Sequence, residues 1–260
     1  MRLADAVVVV TGGASGIGAA LVRRFVAEGA AAVVVADLDE AGARRVAEET
    51  GAEAHGIDVT DESAVATLIR DVLDRHGRVD LYCSNAGIAT GTGLETSAAD
   101  WSRSWAVNVM AHVYAARAVL PSMVERGSGH LLLTCSAAGL LTAVGDAPYT
   151  VSKHAAVAFA EWLSIMYGHQ GIGVSALCPL AVETPMYTAG LASGHVLSRV
   201  MAANALLQPD DVAEAVVSGL AGGRFLILPH PEVADYYRGK AADPEGWLAA
   251  LRRVVRKLAG

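Results

Sequence analysis

The feature that most constrains this chain is a glycine-rich turn between an apolar run and a helical pattern, in the stretch VVVVTGGASGIGAALVRRF at residues 7–25. The four valines are β-branched and are closely followed by glycine, which predicts a short buried strand. After Gly18, apolar residues recur at helical spacing, as at Leu21, Val22 and Phe25. The glycines therefore lie in a strand-to-helix turn.

Such a turn has two interpretations. Glycine allows close approach of backbone, so Gly12, Gly16 and Gly18 could serve only to pack the turn against its own sheet. Alternatively, they let a pyrophosphate approach the free N–H groups at a helix start, where partial positive charge favours an anion. The glycine spacing by itself leaves both interpretations open.

Asp37 favours the second interpretation. It ends another apolar run, AAVVVADLDE, and lies about twenty residues after the turn, where a dinucleotide-binding βαβ unit places the carboxylate that accepts hydrogen bonds from the adenosine ribose. An acid at a strand end can also be a helix cap, but Asp39 is available for that role. The turn and the acid together predict a dinucleotide site.

The rest of the chain repeats the strand–helix rhythm without a linker rich in proline, glycine or serine. This pattern predicts one doubly wound, Rossmann-like α/β domain over residues 1–260, with about seven parallel strands flanked by helices on both faces. Beyond the two runs above, strands are predicted near 53–57, 79–84, 129–135, 172–178 and 224–228, and helices at 61–76, 98–125, 148–168 and 209–220.

Composition excludes several classes of protein. Hydrophobic residues make up 53% of the chain, yet no apolar run approaches the roughly 18 residues of a membrane span. The first five residues do not resemble a secretion signal, and three cysteines argue against a disulfide framework. A net charge of −7 lacks the basic footprint of a nucleic-acid binder. We expect a cytoplasmic protein with no nucleic-acid or membrane partner.

Two further patterns bear on metal binding and on subunit contacts. His112 and His154 have no metal-ligand spacing, so no metal is predicted. The stretch LRRVVRKL at residues 251–258 predicts a surface or subunit-contact helix, because an apolar stripe opposes its basic residues. The stripe consists of Leu251, Val254, Val255 and Leu258.

Polar residues and glycines follow the predicted strands, at the edge where parallel sheets bind ligands. Asp58 follows the third strand, SNAG (84–87) the fourth, TCSAAG (134–139) the fifth and CPLAVETPM (178–186) the sixth. Beyond them, in YTVSK, Tyr149 and Lys153 are four positions apart on a helical pattern and share one face.

These residue types suit hydride transfer from a secondary alcohol. The hydroxyl proton must be removed as hydride leaves, and a free tyrosine, with a pKa of about 10, is a poor base near neutrality. Lys153 would favour the phenolate of Tyr149, and Ser136 would hydrogen-bond the substrate oxygen. In the reductive direction Tyr149 would donate the proton.

Over nearly its whole length the sequence resembles the short-chain dehydrogenase/reductases, in the short single-domain branch. The resemblance rests on T-G-x-x-x-G-x-G at 11–18, N-A-G at 85–87, Ser136 and Y-x-x-x-K at 149–153. It implies that Asn108 joins Ser136, Tyr149 and Lys153 as a catalytic residue, by holding water that links Lys153 to solvent. It also implies that residues 184–186 close over the nicotinamide.

The expected cofactor is NAD. Asp37 would repel the 2′-phosphate of NADP, and Leu38, Asp39 and Glu40 bring no compensating cation. The residues expected to bind the cofactor are Gly12, Ser15, Gly16, Ile17, Gly18, Asp37, Leu38, Asp58, Val59, Asn85, Ala86, Gly87, Tyr149, Lys153, Pro179, Val182 and Thr184.

Two positions depart from the pattern of many relatives. Ser84 precedes Asn85 where a second asparagine is common, and Leu180 follows Pro179 where glycine is common. Neither belongs to the proton-transfer group. Leu180 adds a side chain beside the expected nicotinamide pocket.

The predicted function is an NAD-dependent alcohol dehydrogenase or ketone reductase. Largely apolar segments at 137–148 and 187–207 would form the substrate wall, which favours a hydrophobic alcohol or ketone. We also expect a homo-oligomer, a tetramer, because the helices at 98–125 and 148–168 carry surplus apolar surface. Two alternatives stay open: a reductase of carrier-bound 3-oxoacyl chains, and a noncatalytic NAD-binding scaffold.

Overall fold

The computed structural model describes residues 1–201 and 205–259. Within these residues, seven parallel strands form the main sheet in the order β3-β2-β1-β4-β5-β6-β9, while β7 and β8 pair separately. The seven-stranded parallel sheet and the doubly wound fold class are therefore confirmed. The strands are β1 Val7–Thr11, β2 Ala32–Asp37, β3 Glu53–Gly56, β4 Leu81–Ser84, β5 Gly129–Thr134, β6 Ile172–Leu177, β7 Ala181–Val182, β8 Leu206–Leu207 and β9 Leu226–Ile227.

Local sequence signals set the bounds of the helices. Before α3, for example, the Asp61 carboxylate accepts hydrogen bonds from the amides of Ser63 and Ala64, and Gly77 ends the helix with φ 74°. The helices are α1 Gly16–Ala27, α2 Glu40–Thr50, α3 Glu62–His76, α4 Ala98–Trp105, α5 Ala111–Arg126, α6 Ala138–Leu141, α7 Ala147–Tyr167, α8 Pro185–Ala192, α9 Val196–Met201, α10 Pro209–Ala221, α11 Glu232–Ala242 and α12 Pro244–Ala259.

The side chains of β1 explain why both faces of the sheet are covered. Val7 and Val9 pack into one apolar cluster with residues of α3, α5 and α7. Val8 and Val10 point the other way, into a cluster with residues of α1, α2 and α10. A strand buried on both faces reads as a continuous apolar run, which is why four consecutive valines mark the centre of the sheet.

Three features differ from the sequence-based expectation. The predicted helix at 98–125 is interrupted by a π-helical turn, Ala106–Met110, between α4 and α5. The pairing of β7 with β8 was not expected, because two-residue strands are too short for a periodicity to show. The helices α6, α8, α9 and α11 were also missed.

The predicted C-terminal helix is confirmed and is longer than expected. It forms part of α12, where Val254 and Val255 are exposed and the Trp247 indole N–H donates to the carbonyl of Leu141 at 3.3 Å. The side chain of Leu258 and residues 202–204 of the predicted substrate segment lie outside the described residues.

The described residues contain neither a membrane-spanning helix nor a cluster of metal-ligating side chains. No helix there is long and apolar enough to cross a membrane. Across the same residues, no three His, Cys, Asp or Glu side chains come together as a group that could hold a metal ion.

Candidate active site

A cleft of about 400 Å³ opens at the carboxyl ends of the strands. It gathers every residue expected to bind the cofactor, together with Ser136, Tyr149 and Lys153. The predicted residues that line it are Gly12, Ser15, Gly16, Ile17, Gly18, Asp37, Leu38, Asp58, Val59, Asn85, Ala86, Gly87, Ser136, Tyr149, Lys153, Pro179, Val182 and Thr184. Asn108 does not line the cleft.

The glycine turn brings backbone close to backbone. Gly12 has φ +65°, and a Cβ there would lie 2.9 Å from Cα of Ala86. A Cβ on Gly18 would lie 2.0 Å from the carbonyl oxygen of Gly12. Both interpretations of the glycines therefore have a basis, since the turn packs tightly and also opens onto the cleft.

The N-terminus of α1 is suited to an anion. Ser15, the residue before the helix, makes no side-chain cap hydrogen bond, and the first turn contains no acidic residue. Uncapped N–H groups and the positive end of the helix dipole thus face the cleft. Thr184, which caps α8, lies across the cleft from this turn. Its methyl carbon would be 3.1 Å from a Cβ placed on Gly16. The cradle fits a pyrophosphate.

Asp37 and Asp39 have different roles. Asp37 accepts hydrogen bonds from the amides of Ala14 at 3.0 Å and Asp39 at 2.9 Å, so its carboxylate is fixed at the rim of the cleft. Asp39 caps α2 by accepting from the amide of Gly42 at 3.0 Å. The nearby cations are paired with acids: Arg44 with Glu40, and Arg45 with Asp39 at 3.7 Å.

Asn85 ties three strand ends together. Its amide group donates to the carbonyls of Thr11 and Gly12 at 3.1 and 3.2 Å, and its Oδ1 accepts from the Thr134 hydroxyl at 3.0 Å. The Thr134 carbonyl in turn accepts a hydrogen bond from Lys153 Nζ at 2.9 Å. The N-A-G segment therefore connects the glycine turn to the lysine.

Ser136 and Lys153 are buried, and Tyr149 beside them is partly buried. Lys153 Nζ lies 5.7 Å from the centre of the Tyr149 ring, and Ser136 is 6% exposed. Burial raises the pKa of Tyr149 to about 12, although a hydrogen bond with Ser136 opposes the rise. Burial also lowers the pKa of Lys153.

These pKa directions add an effect that the sequence argument did not include. Burial is the largest influence on the pKa of Tyr149 and disfavours the phenolate, while the assistance of Lys153 to the phenolate stays a prediction. The same desolvation disfavours the charge of the lysine. Residue types and spacing give no measure of burial, so this balance was not visible in the sequence.

The side chain of Asn108 is engaged within the protein. It lies in the π-helical turn and is fully buried. Its Oδ1 accepts from the amide of Ile88, and its amide group donates to the Ile88 carbonyl, both at 2.9 Å, and to Ser152 Oγ at 3.0 Å. Asn108 therefore supports the cleft from behind its wall, and its role in holding a water that links Lys153 to solvent stays a prediction.

Two departures noted in the sequence have structural partners. Ser84 Oγ is 2.7 Å from Nδ1 of His112, whose pKa is lowered to about 3 by burial. The sequence indicated no partner for His112, and the structure shows that its partner is Ser84. Leu180 lines the cleft and also packs against the core, and its amide donates to Nδ1 of His230 at 3.2 Å.

Sequence reasoning missed Asp146 and His230. Asp146 precedes Ala-Pro at the start of α7, a usable helix-cap signal, but its contacts with the loop at 88–92 are long-range. His230 lies between two prolines, and no local pattern indicates that it joins Leu180, Ala181 and Ala205.

Comparison with known proteins decides the family. The family model described as short chain dehydrogenase matches residues 6–192, well over half of the chain. The chain belongs to the short-chain dehydrogenase family. The match spans the glycine turn, Asn85, Ser136, Tyr149 and Lys153.

Individual short-chain dehydrogenases agree with this assignment. The 1-deoxy-11-beta-hydroxypentalenate dehydrogenase of Streptomyces exfoliatus is 37% identical over 252 residues, covering 94% of this chain and 90% of the relative. The meso-2,3-butanediol dehydrogenase of Serratia marcescens is 36% identical over 190 residues, covering 72% and 75%. A short-chain dehydrogenase/reductase from Burkholderia phymatum, solved in complex with NAD, has a TM-score of 0.85 at 32% identity and covers 94% of this chain and 96% of its own.

Proposed function

We propose that the protein is an NAD-dependent oxidoreductase that transfers hydride between nicotinamide and a hydrophobic secondary alcohol or ketone. The observation that carries the proposal is that Ser136, Tyr149 and Lys153 line the same cleft as the uncapped start of α1. One end of the cleft suits a dinucleotide and the other suits proton transfer. The names of the relatives from Streptomyces and Serratia support this chemistry.

NAD is the proposed cofactor. The Asp37 carboxylate at the rim suits a ribose bearing free hydroxyls, and Arg44 and Arg45 are already paired with acids. The Burkholderia neighbour was solved with NAD. When bound, the oxidised nicotinamide accepts the hydride that leaves the alcohol carbon.

Side chains of the protein bind the substrate oxygen and transfer the hydroxyl proton. In the oxidative direction Ser136 donates a hydrogen bond to the substrate oxygen, and Tyr149 takes the hydroxyl proton as the hydride departs. Lys153, held by the Thr134 carbonyl, lies beside the tyrosine ring where its charge stabilises the phenolate. In the reductive direction Tyr149 returns the proton to the oxygen.

The substrate side of the cleft is largely apolar. Leu180, Met186 and Tyr187 line the same cleft as Tyr149, which supports a hydroxyl or ketone on a hydrocarbon-rich skeleton. The Streptomyces relative is named for such an alcohol, 1-deoxy-11-beta-hydroxypentalenate. We therefore place cyclic secondary alcohols first among the substrates to test.

A homotetramer in the cytoplasm completes the proposal. Several large apolar side chains of α4 and α7 are exposed in the single chain, a surface that a second copy can cover. They are Trp105, Val151, Trp162, Ile165 and Met166. The free, buried cysteines Cys83, Cys135 and Cys178 support a reducing compartment.

The deciding experiment is a panel of cyclic and acyclic secondary alcohols incubated with NAD⁺, followed by absorbance of the reduced cofactor. Turnover of apolar alcohols, with none by a Tyr149→Phe control, would support the proposal. Reduction of 3-oxoacyl chains only on a carrier protein would favour the acyl reductase. Binding of NADH without turnover of any alcohol or ketone would favour the noncatalytic scaffold.

A further inference from the structure

Asp146 is a buried carboxylate in the wall of the cleft. It caps α7 three residues before Tyr149 and is 1% exposed. Its Oδ1 accepts from the Tyr149 amide at 2.9 Å and the Thr90 hydroxyl at 2.8 Å. Its Oδ2 accepts from the amides of Thr90 at 2.8 Å and Gly91 at 2.6 Å. These four donors match the roughly four acceptor sites of a carboxylate, so the anion is satisfied by hydrogen bonds.

These bonds fix a loop against the catalytic helix. Residues 88–92 continue from the N-A-G segment; Asn108 holds Ile88 at one end, and the Thr92 carbonyl accepts from the Ala147 amide at 3.1 Å at the other. Asp146 holds the middle of the loop.

The same loop meets the segment on the far side of the cleft. Gly91 has φ +71°, and a Cβ there would lie 2.1 Å from Nδ1 of His195. Both Gly91 and His195 line the cleft. Gly91 is held by Asp146, so Asp146 sets where the loop at 88–92 meets the segment that carries His195. We call the part of the cleft between these two segments and Tyr149 the alcohol pocket.

We propose that Asp146 is a positioning residue, which holds the loop at 88–92 against the first turn of α7 and so sets the alcohol pocket around Tyr149. The inference rests on the proposed function, because the pocket matters only if an alcohol or ketone binds there. Asp146 itself has no acceptor site left for the substrate. It acts on substrate binding through the loop and the helix.

The charge of Asp146 gives the proposal a second readout. A negative charge near Tyr149 disfavours the phenolate, so Asp146 raises the pKa of Tyr149 beyond the effect of burial. Removing that charge lowers the pKa and makes the base form available at lower pH. The titratable and polar groups that face Tyr149 are Ser136, Asp146, Cys135, Cys178 and Lys153.

The test compares Asp146→Asn with the parent enzyme. Asparagine keeps one oxygen for the helix cap, but its NH₂ group cannot accept from the amides of Thr90 and Gly91. We expect KM for the alcohol to rise about tenfold or more, since hydrogen bonds to a charged group are lost, while KM for NAD changes by less than about twofold. The acid limb of kcat/KM for alcohol oxidation should move to lower pH.

Two further variants separate geometry from charge. Asp146→Glu keeps the charge but displaces the carboxylate, so alcohol KM should rise with little movement of the acid limb. Thr90→Val removes one donor to the carboxylate and keeps the charge, so the acid limb should stay in place. An Asp146→Asn enzyme with the parent's alcohol KM and the parent's pH profile would overturn the proposal.

Hydrogen exchange gives a readout that does not depend on turnover. In Asp146→Asn the amides of Thr90 and Gly91 should exchange faster than in the parent, while amides in the core strand β1 stay protected. Unchanged exchange at both amides would overturn the fixing of the loop. Failure of the parent to oxidise any alcohol would instead overturn the proposed function, whatever the exchange result.

Discussion

At the residue scale, the proposed chemistry uses a tyrosine whose pKa is raised above that of a free tyrosine. Burial raises the pKa of Tyr149 to about 12, so the protonated form needed for ketone reduction is present across the neutral range. Alcohol oxidation needs the phenolate and should accelerate as pH rises toward that pKa. The two directions should therefore respond oppositely to pH.

Tyr149→Phe should abolish turnover while cofactor binding survives, because it removes the acid/base group and keeps the ring. General acid–base catalysis typically contributes about 10²–10⁴-fold, so the loss should fall in that range or beyond. Steady-state kinetics and titration with NADH measure the two effects. Activity within about tenfold of the parent would remove Tyr149 from its assigned role.

Lys153→Met should raise the pH at which alcohol oxidation becomes efficient, or stop it. The lysine is 3% exposed and lies beside the Tyr149 ring, so its charge acts on the phenolate through little water. The pH dependence of kcat/KM measures the change. A profile that coincides with the parent's would contradict electrostatic assistance by this residue.

Asp37 should set a preference for NAD over NADP of about tenfold or more in kcat/KM, which corresponds to about 1.4 kcal/mol. Asp37→Ala should shrink the preference by weakening NAD binding and relieving repulsion of the 2′-phosphate. Kinetics with both cofactors on one alcohol give the comparison. Equal efficiencies in the parent would show that Asp37 only fixes the backbone at Ala14 and Asp39.

At the element scale, the loop after β9 contacts the start of β7 and the start of β8, the two strands that flank the segment covering the cleft. His230 accepts from the amide of Leu180 and donates through Nε2 to the carbonyls of Ala181 and Ala205, each at 3.1 Å. It thus joins the loop after β9 to the N-terminal ends of β7 and β8, and α8 and α9 lie between these two strands in the chain. Its ring is 1% exposed and Ala181 is fully buried, so the Ala181 carbonyl would lose this partner away from water if the ring were lost.

His230→Leu should destabilise the protein by about 1–3 kcal/mol, the typical cost of leaving a buried polar group unpaired. It should also raise the KM for the alcohol more than that for NAD, because the covering segment loses its anchor. Chemical denaturation and steady-state kinetics measure these effects. His154→Leu, at a partly buried position on α7, provides a histidine control that should leave the cleft's cover in place. Equal effects of the two substitutions on alcohol KM would contradict the anchoring role.

At the scale of the whole molecule, α7 exposes several large apolar side chains. Ile165 is 76% exposed and Trp162 is 50% exposed. Exposure of this apolar area to water is unfavourable for an isolated chain, and contact with a second copy would bury it. Light scattering should report a stable oligomer, a tetramer. Ile165→Asp should weaken it, whereas Leu94→Asp, at a loop position 92% exposed, should not. A monomeric parent at working concentration would contradict the proposal.

The seven-stranded doubly wound sheet, the dinucleotide turn and the grouping of Ser136, Tyr149 and Lys153 could all be predicted from the sequence. These rest on local patterns, such as the run of valines and the four-residue spacing on one helix face, whose geometry is fixed by the backbone. Four features could not be predicted from the sequence and are seen only in the folded structure. They are the raised pKa of Tyr149, the burial of the Asn108 side chain and the contacts made by Asp146 and His230. Each of these depends on groups far apart in the chain, because desolvation and long-range hydrogen bonds exist only once the elements have packed.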